Sequence, residues 1–133
     1  MKANQEDSRS SSGSPQAETF RRIALGMPRA IESQHMNHPD FRADGRIFAT
    51  IHHDHKWGMV ALTPEQQQKF VRESPRVFVP ENGAWGRAGC TKVLLSSVDE
   101  DTLGEAMSLA WQNAITKTKS LKRATKKRIS RKS

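Results

Sequence analysis

Seven residues in the middle of the chain are of the types that grip a polyanion: Arg42, Arg46, Lys56, Arg87 and Lys92, interleaved with Trp57 and Trp85. Guanidinium and ammonium groups contact phosphate oxygens, and indole rings stack on bases or pack into a groove. The competing reading is plainer. In it the two tryptophans cover a sheet, and the arginines are solvated or paired with Asp40, Asp44 and Asp54. A second cationic group closes the chain: Lys117, Lys119, Lys122, Arg123, Lys126, Lys127, Arg128, Arg131 and Lys132, with no acid among them. Such a run binds polyanions by counterion release and needs no fold to do so.

Three other residue sets invite chemistry. His35, His38, His52, His53 and His55, with Asp54 as an oxygen donor, have metal-ligating side chains. A zinc, copper or nickel site needs three or four of them to converge, and His52 and His53 on an extended strand point to opposite faces. The spacing has no zinc-type pairing, so no metal and no cofactor are expected. Cys90 follows Gly89. A cysteine nucleophile needs a neighbouring base and a depressed pKa, whereas this context reads as a thiol opening a buried strand. The segment Gly83 to Lys92 is not a phosphate loop, because Cys90 follows the last glycine where that motif requires lysine. No catalytic residue is expected.

The location of charge bounds these readings. The chain carries a formal +8, but nine of its 22 basic residues lie after residue 116, and the other 13 face all 14 acids. The body is therefore near −1, and the basicity belongs to the C-terminal segment. At 133 residues there is room for one modest core. No run of 18 apolar residues and no apolar N-terminal region point to a spanning helix or a signal peptide. One cysteine fits a reducing cytoplasm. The basic segment lacks an apolar anchor, so no membrane partner is expected.

The elements that must position these residues follow from period and punctuation. Residues 1–14 are Ser-rich and without period, and are expected to be disordered. Pro15 opens a helix with Phe20, Ile23, Ala24 and Met27 on one stripe, stopped by Gly26 and Pro28. Ile31 to Met36 reads as a strand and His38-Pro39 as a turn. Asp44-Gly45 predicts a two-residue type I′ hairpin between Phe41–Ala43 and Arg46–His52, with Ile47, Ala49 and Ile51 on one face and Phe48 and Thr50 on the other. Trp57 to Leu62 is a further strand. Thr63-Pro64-Glu65-Gln66 is a capping box opening a surface helix that runs to about Ser74. A strand over Arg76–Val79 ends at Pro80, a loop spans Glu81 to Gly89, and Thr91 to Ser96 is the last strand. Leu103, Ala106, Met107, Ala110, Trp111, Ala114 and Ile115 then step by three and four, which puts all seven on one face and predicts Trp111 buried against the sheet. Strands without helical crossovers between most of them imply a largely antiparallel sheet. The fold class is α+β, a two-layer sandwich with helices over one face. The domain should cover 15–117, followed by a disordered basic tail over 118–133.

With those residues laid out, the chain resembles the MmcQ/YjbR family of small bacterial proteins. The matching pieces are His38-Pro39-Asp40-Phe41-Arg42, Gly45-Arg46-Ile47-Phe48-Ala49, Trp57-Gly58-Met59-Val60, Leu62-Thr63-Pro64-Glu65-Gln66, Pro80, Trp85-Gly86, Gly89 with Thr91, and Ala110-Trp111. They run in order over residues 18 to 116. The His-rich loop, Cys90 and the basic tail depart from the usual pattern. The resemblance implies a CyaY-like α+β fold and DNA binding through a double-wing arrangement of hairpins, and it carries over no catalytic residue. The expectation is a non-enzymatic DNA-binding protein whose polybasic tail adds non-specific nucleic-acid affinity. The alternative is a small-ligand or metal-binding domain using the sheet face and the His-rich loop.

Overall fold

A computed structural model describes the backbone of residues 15–35 and 38–132, and the side chains of 15–34 and 38–116. Residues 1–14 and the His35 side chain lie outside that description. The elements are α1 (Pro15–Leu25), β1 (Ile31–His35), β2 (His38–Ala43), β3 (Arg46–Ile51), β4 (Trp57–Ala61), α2 (Pro64–Glu73), β5 (Phe78–Pro80), α3 (Gly83–Arg87), β6 (Cys90–Leu94) and α4 (Glu100–Lys132). The six strands form one sheet in the order β1-β2-β3-β4-β6-β5, and every neighbouring pair is antiparallel. This is the α+β architecture expected from the sequence.

Register decides which residues share a face, because side chains alternate along each strand. One face carries Phe41, Ala49, Ile51, Val60, Val93 and Phe78, all fully or almost fully buried. Helices α1 and α4 cover it, with Phe20, Ala24, Leu103, Ala106, Met107 and Ala110 facing in. The closest approach is at β4, where the Phe20 ring lies on the bare Cα of Gly58. A Cβ added there would sit 2.5 Å from Phe20 Cε2. Phe20 also tilts against Phe41, with ring centroids 6.2 Å apart.

Caps and turns behave as the sequence chemistry requires. Asp44 and Gly45 have φ of 52° and 80°, the two positive values of a type I′ turn. Thr63 accepts from the Gln66 amide, and the Gln66 side chain accepts from the Thr63 amide. The same Gln66 oxygen also accepts from Asn113 on α4 at 2.8 Å, so the capping box ties α2 to α4. Asp99 caps α4 through the Thr102 amide and hydroxyl, and those two bonds hold its carboxyl below the usual range.

Several expectations are corrected. His38 and Pro39 are not a turn but the first residues of β2, paired with His35 and Gln34. Proline is tolerated there because the end of a strand can spare a donor. In β3 the simple alternation fails: Phe41 pairs with Ala49 but Arg42 pairs with Ile47, which leaves Phe48 without a partner. The bulge turns Phe48 into the core and brings Ile47, 40% exposed, onto the opposite face. Strands β5 and β6 are shifted by turns at Ser74–Phe78 and Leu94–Val98, and the Glu81–Gly89 loop contains the short helix α3. Apart from these corrections, the helical backbone of α4 runs to Lys132, into the basic segment whose side chains lie outside the described residues. That segment holds no glycine or proline and is rich in Lys and Arg, which are good helix formers.

Trp111 is also corrected. Rather than lying inside the core, it packs partly buried at its edge, and its indole N–H donates to the Pro28 carbonyl at 2.9 Å. Trp111→Phe should therefore cost only about 1 kcal/mol, the scale of one hydrogen bond, well below a core truncation. Gly58→Val should cost more, at least about 1–3 kcal/mol, because it drives a branched side chain into the Phe20 ring. Denaturant titration of the single variants and of Gly58→Val with Phe20→Ala checks both. The double variant should recover part of the loss, and strict additivity would contradict the close approach.

Candidate nucleic-acid interface

The second face of the sheet mixes polar and charged side chains with apolar ones. Across it runs one row of paired residues, Ser33, Asp40, Thr50, Met59, Lys92 and Val79, contributed by all six strands in turn. A trough of about 1370 Å³ lies over this face and continues around the hairpin toward Ala110 and Ala114 of α4. Its walls include Arg42, Arg46, Ile47, His52, Trp85 and Cys90.

Arg42 is the most tightly held cation of the face. Its Nε and Nη2 donate to the two carboxylate oxygens of Asp40 at 2.9 and 3.1 Å. Asp40 is 1% exposed. Residues two apart on a strand share a face, which is why this pair can form within β2. The hydrogen bonds and charge of Asp40 raise the Arg42 pKa above its ordinary value. With two donors fixed by a buried carboxylate, the guanidinium is planar, oriented and still able to donate outward. Arg46 opens β3 at the hairpin and has no acidic partner among the described residues. The pairing with Asp44 is made instead by Arg29 at 3.1 Å.

The two tryptophans differ. Trp57, half-buried, is covered by Lys92, whose Nζ lies 5.0 Å from the ring centroid. The two residues are diagonal neighbours, since Met59 is the direct partner of Lys92. Trp85 is 71% exposed on α3. That helix is not loosely attached. Gln67 Nε2 donates to the Gly86 and Cys90 carbonyls at 3.1 Å, and the Glu81 amide donates to the Cys90 carbonyl. A buried glutamine on α2 thus anchors the platform that presents Trp85.

The histidine loop is a compact turn. The His55 amide donates to the His52 carbonyl, the Lys56 amide donates to Asp54, and His55 takes a positive φ of 57°. The Lys56 amide is the main reason the Asp54 carboxyl is held below its usual range. His52 Nε2 lies 2.9 Å from Glu81, joining β3 to the approach to α3, and His53 packs edge-on to His38 at 5.4 Å. Among the described residues no group of three or more His, Cys, Asp or Glu side chains could hold a metal ion. Cys90 is half-buried, and burial, followed by the charge of Glu81, pushes its thiol up. At neutral pH it stays protonated, which makes it a poor nucleophile.

The structure therefore gathers Arg42, Arg46 and Trp85 in one trough and seats Lys92 on Trp57 on the same face. Lys56 and Arg87 are exposed outside it. Lys119, Lys122, Arg123, Lys126, Lys127, Arg128, Arg131 and Lys132 follow on the backbone of α4, and their side chains lie outside the described residues. Sequence reasoning did not anticipate Ile47 in the trough, the His52–Glu81 bridge or the Gln67 anchor. The i, i+2 spacing of Asp40 and Arg42 was the one available signal for their shared role.

Residues 25–113 match the family model described as YjbR. No curated protein matches the chain. A solved structure, the Deinococcus radiodurans protein DR2400 with a DUF419 domain, superposes with a TM-score of 0.59 at 18% identity. The superposition covers 69% of this chain and 72% of that one, a likeness that speaks for the fold alone. The family match spans the open face, the hairpin, the Trp57 strand, the capping box and α3 together, and the chain belongs to the YjbR family.

Proposed function

We propose that this protein is a non-catalytic, cytoplasmic nucleic-acid-binding protein, with the open sheet face and the cationic end of α4 as its contact surfaces. The observation that carries the reading is the convergence of Arg42, Arg46 and Trp85 on one trough beside the Lys92–Trp57 stack. Guanidinium groups of this kind hold phosphates, and exposed indoles take base faces. The nine cations after residue 116 add a sequence-independent term. No helix among the described residues is long and apolar enough to cross a membrane.

Because the body is near −1, most of the affinity comes from the cationic segment. Band shifts with the full chain should show log K falling with log salt at a slope of about −4 to −6, at about −0.9 per phosphate neutralised. Residues 1–116 contain all the core residues described, the last being Ile115. That fragment should lose most affinity at moderate salt and keep a weaker, Arg46-dependent component. Arg46→Ala should reduce the residual binding, and Arg87→Ala, outside the trough, should leave it unchanged. The reverse pattern for the two arginines would move the contact surface off the trough, and absence of binding by the full chain would remove the proposal.

A further inference from the structure

Resting on that reading, we infer that the open face takes an unpaired segment of single-stranded nucleic acid, with a base on Trp85 and adjacent phosphates on Arg42 and Arg46, rather than a duplex. Three observations converge on this. First, Trp85 exposes 71% of its surface on a helix anchored by Gln67, so a flat aromatic face is held in place with nothing described covering it. In a duplex the base faces are stacked on one another, and only unpaired bases can lie on such a ring.

Second, the charge of the trough is sparse and mixed. Arg42 and Arg46 share it with the carboxylates of Asp54 and Glu81, Asp40 being buried and bound by Arg42. A duplex brings one phosphate per about 1.7 Å of axis and would press some of them against those carboxylates. A flexible single strand can set phosphates on the two arginines and turn bases toward the acid-bearing and apolar walls. Ile47, at 40% exposure, and Met59 supply apolar surface there.

Third, size favours a chain of nucleotides over a small metabolite. The trough, at about 1370 Å³ and open along its length, exceeds the roughly 300–1,000 Å³ typical of small-molecule pockets. It suits a few consecutive nucleotides. The Lys92–Trp57 stack on the same face offers a second ring and cation along the path.

Fluorescence anisotropy on the full chain tests this, with a labelled oligothymidylate of about 12 nucleotides and a mixed-sequence duplex of equal length as probes. Trp85→Ala should weaken oligothymidylate binding by about 5- to 100-fold, the range of one base–aromatic stack. It should change duplex binding by less than about twofold, since the cationic segment meets both probes alike. Trp85→Phe should restore most of the loss. Equal effects on the two probes, or no effect on either, would overturn the inference while leaving nucleic-acid binding standing. Failure of the full chain to bind either probe would overturn the underlying reading as well.

Discussion

The contact of the Phe20 ring with the bare Cα of Gly58 fixes the arrangement on which everything else depends. It allows α1 to lie directly on the sheet, and α4 packs beside it, mainly over β3 and β4. Once both helices occupy that side, the alternation of strand side chains leaves the other half of every strand outside the core. A sheet covered on one side in this way needs a polar or functional opposite face. Asp40, Arg42, Thr50, His52 and Lys92 are the residues the sequence places there.

That face is organised rather than merely solvated. A carboxylate as buried as Asp40 is costly unless paired, and its two bonds from Arg42 satisfy it while fixing the guanidinium. The bulge at Phe48 has a similar double effect, filling the core with one ring and turning Ile47 and the hairpin toward the trough. Gln67 does for Trp85 what Asp40 does for Arg42: a buried polar group holds an outward-facing one in position. These are supports of the kind that lower the entropy lost when a ligand docks.

Legibility in the sequence followed the range of the interaction. The Asp44-Gly45 turn, the Thr63–Gln66 capping box and the stripe from Leu103 to Ile115 are local and were readable from residue types alone. The bulge was not, because it depends on how β2 and β3 pair across the turn. Trp111 was misplaced because helical period shows that a residue faces inward but not how far the core extends; the Pro28 carbonyl that takes its N–H is 83 residues away in sequence. The same limit applies to the site. Its cations and rings were visible as residue types, but their division into trough residues and outliers depends on strand order. In the C-terminal segment the run of like charge argues for disorder, whereas the lack of glycine and proline is compatible with the helical backbone of α4.

The claim with the most weight is that the open sheet face, and not only the basic segment, meets nucleic acid. Two-dimensional amide and indole NMR of the full chain, titrated with a short single-stranded oligonucleotide, addresses it most directly. The account predicts shifts at the Trp85 and Trp57 indoles and along the row of Thr50, Met59 and Lys92, with little change at Trp111 or at Val60 beneath the helices. Shifts confined to residues after 116, with the open face silent, would contradict it.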